Sequence, residues 1–267
     1  MNTVPLFTAS RGFALIDQTP AHVHAEVSGE VPAEESDSMD LGTIVHGCLL
    51  TGESNVVLIE AKDWRTAAAR EQRDDARAVG LTPLLAHKWS EVQAIVAAAR
   101  RQLERVELPT PFVGGVAEQS LYFDLDGVAC RATPDWVSSD HTHVVDLKTV
   151  GTSAHPAAFG KAAWSNGNCF QNAFYRRAVK TVYGVNAEFR WVALETFPPY
   201  ALSVVALDPE ATEFADAQVD EALRIWALCL ERGEWPGYPT RVSYAEVPAW
   251  VKSTWLERSY FDNLPAR

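Results

Sequence analysis

Pro134-Asp135 is followed eleven residues later by Asp146-Leu147-Lys148, and Glu118 stands upstream in Val116-Ala117-Glu118-Gln119-Ser120. Three acids and a lysine thus fall in segments that otherwise read as buried β-strands. Successive strand side chains point to opposite faces, so Asp146 and Lys148 share one face while Val145, Leu147 and Thr149 share the other. Asp135 ends the preceding strand and comes beside Asp146 across a hairpin, and Glu118 reaches the same end from the first strand. Hard oxygen ligands gathered this way suit Mg²⁺ or Mn²⁺, which keep several waters and bind phosphate oxygens. Such a site lowers the pKa of a bound water and stabilises charge on a phosphate, and an ammonium at Lys148 orients the water or neutralises the transition state. The expected chemistry is metal-assisted cleavage of phosphodiesters. The competing reading is a salt bridge between Asp146 and Lys148 on a solvent-facing strand, and the further acids converging on one strand end weigh against it.

The whole chain sets bounds on that chemistry. At 267 residues, with 47% hydrophobic and 10% aromatic residues, it can bury a large core and is not disordered. No run of eighteen apolar residues and no signal-peptide-like start is present, so a cytoplasmic protein without membrane insertion is expected. Cys48, Cys130, Cys169 and Cys229 lie far apart without a CxxC pair, which argues against zinc, a disulfide framework and an iron-sulfur cluster. A formal charge of −12 disfavours a sequence-reading DNA binder, because affinity for DNA comes largely from Lys and Arg. It weighs less against a nuclease that grips DNA locally and recruits cations, since the local field decides, and Arg176, Arg177 and Lys180 do cluster.

The elements that must position the acids follow from pattern. Ser10 is expected to cap a short helix through Asp17 that Pro20 ends, Ser28 to Ser38 reads as a loop, and Met39 to Leu50 as a buried helix. Lys62 to Ala78 and Leu84 to Leu103 read as two further helices, giving a helical first half. Val116 to Phe123, Val128 to Val137 and His143 to Val150 read as a three-stranded meander. Pro156 to Ala163 and Cys169 to Tyr183 return to helix, Ala187 to Leu194 and Tyr200 to Leu207 are two more strands, and Pro209 to Arg232 is a long helix. The expectation is a single α/β domain over residues 1–267 with a central mixed sheet flanked by helices: a mainly helical part over 1–110, a core over 111–232 and an extension over 233–267. That aromatic-rich tail is expected to pack on the core or on a neighbouring subunit.

With the elements in place, Glu118, Pro134-Asp135 and Asp146-Leu147-Lys148 resemble the signature of the PD-(D/E)xK nuclease superfamily, whose core is restriction-endonuclease-like. Leu41-Gly42-Thr43-Ile44-Val45-His46 resembles the LGxxxH helix of its RecB-type branch, Gln171-Asn172-Ala173-Phe174-Tyr175 the QxxxY helix, and Val145-Asp146-Leu147-Lys148-Thr149 the DxKT strand. Within that branch the chain is most similar to the phage and prophage RecE-like exonucleases (exonuclease VIII): Thr19-Pro20-Ala21-His22 resembles their SPAH segment and Trp235-Pro236-Gly237-Tyr238 their WxGY element. The resemblance implies Asp135, Asp146 and the Leu147 carbonyl as metal ligands, Lys148 as the catalytic lysine, and Glu118 and His46 as further ligands. Gln171 and Tyr175, one helical turn apart, would face DNA or the site. Thr133 stands where family members carry a basic residue, with Arg131 nearby, and Arg176 and Arg177 are candidate phosphate contacts. The implied activity is a Mg²⁺-dependent exodeoxyribonuclease, with Mn²⁺ a possible substitute, that digests linear duplex DNA 5′ to 3′ from its ends. The 3′ strand left behind would serve a RecT-like single-strand annealing protein, and the implied assembly is a homo-oligomer, possibly a ring.

Rival readings are weaker on the residues. A Cas4-like or other RecB-family single-strand nuclease would carry cluster cysteines in the Cas4 case, and a non-catalytic DNA-end binder would be expected to lose one of Glu118, Asp135, Asp146 or Lys148. His141 and His143 with Asp146 make a poor iron triad because His141 sits in a turn, and His22 and His24 have no cysteine nearby for zinc. His46, read alone, is a core histidine on an apolar helix.

Overall fold

In a computed structural model describing residues 5–30, 37–52, 54–106 and 112–262, helix α1 (Ala9–Asp17) is capped by the Thr8 hydroxyl, which accepts the Arg11 amide, and not by Ser10 as expected. Pro20 does more than end it: it opens α2 (Pro20–Val27), where its missing N–H costs no hydrogen bond. The expected buried helix is α3 (Asp37–Leu50), and residues 31–36 of the expected loop lie outside the described residues. The next stretch departs from expectation. Strands β1 (Val56–Ile59) and β2 (Thr82–Leu85) pair in parallel around α4 (Ala67–Ala78), and α5 (Trp89–Leu103) starts five residues beyond the expected Leu84. Apolar runs of four residues cannot be assigned by periodicity, and a pairing across an intervening helix leaves no local mark.

The expected meander is corrected in the same way. Its first two runs are each broken, giving β3 (Gly115–Ala117), β4 (Leu121–Leu125), β5 (Val128–Ala132) and β6 (Trp136–Ser138), followed by β7 (His143–Val150). β4 and β5 form their own hairpin sheet, while β3 pairs with β6 and β6 with β7. One break is at Glu118, which takes a left-handed φ of 51° that no strand residue holds. The other holds Pro134, which has no N–H for a ladder. Both breaks therefore carry a residue of the acidic constellation.

β7 is the middle of a five-stranded mixed sheet in the order β3-β6-β7-β8-β9. It runs parallel to β8 (Glu188–Glu195), reached through α6 (Pro156–Ser165) and α7 (Asn168–Tyr183), and β9 (Leu202–Val205) returns antiparallel before α8 (Pro209–Arg232). The two faces of the sheet feed two cores. Val144, Phe189, Trp191 and Ala193 pack toward α7 and α8 with Phe7, Phe170, Phe174 and Trp226. Val145, Leu147, Val192 and Leu194 pack toward α3 and α5 with Ile44, Val45, Ile95 and Ala99. α1 lies against α7 so closely that a Cβ on Gly12 would meet the Phe170 and Phe7 rings at 2.5 Å. This is the expected mixed sheet flanked by helices in a restriction-endonuclease-like core, with the first half mostly helical.

The chain divides at Pro236. Up to that point the tail docks as expected: the Trp235 ring lies 5.3 Å from Trp226 and 5.5 Å from His24, and the Pro236 carbonyl accepts the Ala21 amide. Residues 237–267 form a second unit containing α9 (Ala249–Asp262), in which Tyr244, Trp250 and Trp255 are exposed. No helix among the described residues is long and apolar enough to cross a membrane.

Candidate active site

Asp146 and Lys148 project from β7 on the face that Val144 lines, as the strand period requires. Asp146 is fully buried, and its Oδ2 lies 2.7 Å from Lys148 Nζ, so the pair is not the solvent-facing bridge of the competing reading. The contact is a close charge-assisted pair, and Asp146 Oδ1 has no hydrogen-bond partner among the described residues. Asp135 precedes β6 rather than ending a strand. The register Trp136 to Val145 sets it opposite Asp146, and its Oδ2 accepts the Leu147 amide at 2.7 Å.

His46 arrives from α3 on the other side of β7. Its Nε2 stands 2.6 Å from the Leu147 carbonyl oxygen, and Nδ1 lies 3.6 Å from Asp135 Oδ2. Glu118 is tied in by its backbone, its amide donating to the Asp135 carbonyl at 3.0 Å, while its side chain is exposed. The structure thus gathers Asp135, Asp146, Leu147, Lys148 and His46, with Glu118 at the rim.

The electrostatics mark strain between like charges. Burial, and then the charge of Asp146, push the Asp135 carboxyl well above the usual carboxylate range. Burial lowers the His46 imidazole, which keeps it neutral near pH 7. For Lys148 burial favours the neutral amine, but Asp146 and Asp135 outweigh it and hold the ammonium above its ordinary value. A divalent cation relieves such a cluster: two carboxylates stand near one lysine, and the buried Asp146 Oδ1 has no partner among the described residues. Among the described residues no three His, Cys, Asp or Glu side chains converge into a cage. The fitting donor set is therefore Asp135, Asp146 and the Leu147 carbonyl, with solvent filling the remaining positions in the manner of Mg²⁺.

From Lys148 a cleft of about 510 Å³ opens between α1 and the corner joining α6 to α7. Gln171 and Tyr175 line it, as the i, i+4 spacing implied. Thr133 and Arg131, two residues apart on the β5 run, both reach this cleft, so a guanidinium stands beside the position where Thr133 lacks charge. Arg176 and Arg177 are not brought to it. Arg176 is held by Asn172 and Asp216, and Arg177 by Asp216 and Asp220, across α7 and α8. These two candidate phosphate contacts thus lie outside the Lys148 cleft, paired with acids of α8.

The pattern reading overlooked the cleft walls. Ser10 and Phe13 of α1 and the Asn166-Gly167-Asn168 turn line it. Gly167 takes φ 74° and would clash with the Phe13 ring if it bore a Cβ. The one local signal was the Asn-Gly-Asn turn itself, which names a turn but not its neighbours.

Residues 10–248 match the model of the PDDEXK-like domain of unknown function (DUF3799). No curated protein matches the chain significantly. Among solved structures, a candidate exonuclease from Eubacterium rectale superposes with a TM-score of 0.61 at 14% identity, covering 93% of this chain and 92% of its own. An alkaline exonuclease from Laribacter hongkongensis (TM-score 0.32, 13% identity, 69% of this chain and 94% of its own) is more remote. So is a phage-related exonuclease from Haemophilus somnus 129PT (TM-score 0.31, 11% identity, 76% and 98%), and neither of these two supports an argument.

Proposed function

The chain belongs to the PDDEXK-like domain family, and from that premise we propose that it is a divalent-metal-dependent exodeoxyribonuclease acting on the ends of linear duplex DNA. The observation that carries the reading is Asp146: a fully buried carboxylate on the central strand beside Asp135, with Lys148 at 2.7 Å from Oδ2 and no partner for Oδ1 among the described residues. A folded protein tolerates such a group where something absent from the chain completes it.

Asp135, Asp146 and the Leu147 carbonyl would hold Mg²⁺ or Mn²⁺, with His46 and Glu118 supporting. When bound, the metal supplies an acidified water and charge stabilisation at the phosphate. Lys148, kept protonated by the two acids, stabilises negative charge developing on the phosphate oxygens. Neutral His46 holds the Leu147 carbonyl in place, and the Leu147 amide fixes the Asp135 carboxylate. Gln171, Tyr175 and Arg131 line the approach to Lys148 and contact the strand being cut. The resemblance to RecE-like exonucleases adds 5′ to 3′ polarity, a 3′ single strand handed to an annealing protein, a cytoplasmic setting and a homo-oligomer, which would surround one duplex with several copies of this cleft. The name of the Eubacterium rectale structure agrees with an exonuclease.

The test uses end-labelled linear duplex, closed circles and single strands, each with Mg²⁺ or EDTA. Metal-dependent loss of linear duplex with circles spared is the expected result. Metal-independent degradation, or full activity in Lys148→Ala, overturns the mechanism, and circles cut as fast as linear duplex remove the exonuclease assignment.

A further inference from the structure

A second groove reaches the acidic constellation from the side opposite the Lys148 cleft. It encloses about 380 Å³, within the range of small-ligand sites, and Thr43, Gly47, Ser54, Asn55, Thr82 and Glu118 line it. α3 presents Thr43 and Gly47 one turn apart, and Thr43 lies three residues before His46 on the same helix. At the other end, Glu118 is joined by its amide to Asp135. The groove therefore starts where two of the elements that build the site meet.

Its chemistry differs from that of the cleft. Among the described residues no lysine or arginine lines it and its one charge is the carboxylate of Glu118, so a phosphate there would meet like charge. What it offers is neutral hydrogen bonding: the side chains of Thr43, Ser54, Asn55 and Thr82 have no hydrogen-bond partner among the described residues. Hydroxyls and an amide can pair with the edge of a base and the ring oxygen of a deoxyribose.

We propose that this groove is a nucleoside subsite that receives the sugar and base of the terminal nucleotide while the phosphodiester joining its 3′ oxygen to the next nucleotide lies at Asp135, Asp146 and Lys148. The charged backbone of the remaining strand then follows the cations, Lys148 and Arg131, into the opposite cleft. This assignment rests on the exonuclease reading for the identity of the ligand.

The probe is deoxyguanosine 3′-monophosphate, used to inhibit Mg²⁺-dependent degradation of labelled duplex by the full chain, with inorganic phosphate as the comparison. In the combined variant Thr43→Val, Asn55→Leu, Thr82→Val the inhibition constant for the nucleotide rises about tenfold, the loss of one to two net hydrogen bonds, while that for phosphate stays within about twofold. Equal nucleotide inhibition of variant and wild type overturns the subsite. Asn55 is exposed, so Asn55→Leu alone folds and gives a smaller rise in the same direction if the combined variant does not. Should the wild type prove inactive on DNA, calorimetric titration of the nucleotide separates the two ideas. Binding that the variant weakens upholds the subsite without the nuclease, and no binding to the wild type removes it.

Discussion

Two clusters pair basic and acidic side chains on α7 and its neighbours, and they are built to opposite ends. Between α7 and α8, Arg176 and Arg177 meet Asp216 and Asp220 in several directed hydrogen bonds at or below 3.0 Å, and every charge has a partner. On β7, one lysine stands near two carboxylates, Oδ1 of the buried one has no partner among the described residues, and Asp135 is pushed toward its protonated form. A satisfied network ties two helices together, whereas an under-satisfied one in a dry site keeps capacity for a ligand. The comparison also explains how an acidic chain carries nuclease geometry. Its most obvious basic run is spent on structure, and the cations that face the cleft are Lys148 and Arg131.

The sharpest way to break the contrast is Asp146→Asn. It should cut kcat by at least about 100-fold, the scale of removing one preorganised electrostatic group, while the folded protein persists. Retained activity would make the β7 cluster a structural pair after all. Arg177→Ala should do the reverse, costing about 2 kcal/mol of stability through lost charge-assisted bonds. That amounts to a fall of about 4–8 °C in Tm with kcat little changed. A loss of activity matching that of Asp146→Asn would show that the α7–α8 cluster belongs to the site. Arg131→Ala should raise KM for duplex several-fold at fixed salt and lessen the salt dependence by about one phosphate contact, read from KM across a salt series. An unchanged salt slope would exclude it from the strand path.

The smallest effect is on stability against pH in EDTA. Asp135 binds its proton more tightly folded than unfolded, so folded protein holds more protons in the window from the ordinary carboxylate range up to its raised value. Stability contributed by this group is present at low pH and is lost as pH rises through that window. Asp135→Asn removes the dependence, so its Tm should gain on the wild type by a few degrees between acid and neutral pH. A Tm difference independent of pH would mean that Asp135 is not held under charge strain.

The candidate site was unusually legible because its chemistry violates the strand pattern: Asp146 and Lys148 interrupt an apolar run, and Gln171 and Tyr175 repeat at a helical turn. Asp135 and Glu118 were found as residues but misplaced as strand ends, since a left-handed φ at Glu118 and the tertiary pairing of β3 with β6 leave only Pro134 as a local trace. Arg176 and Arg177 misled for a related reason. Their partners are some forty residues away on α8, and a basic run reads as free until the helix that neutralises it is placed. The β1–β2 pair escaped because four-residue strands carry too little period to be told from helix or turn.

The amino-acid order alone determined the long helices and the longer strands, the alternation that puts Asp146 with Lys148, and the family motifs, because these depend on neighbours within a turn or a strand. Tertiary structure alone decided which charges are spent and which remain available. It buried Asp146 against Lys148, drew His46 onto the Leu147 carbonyl, left Arg131 rather than Arg176 facing the cleft, and opened a neutral groove beside Glu118. Whether a charge is satisfied depends on the distance to every other charge and on the exclusion of water, and only the packed chain fixes those.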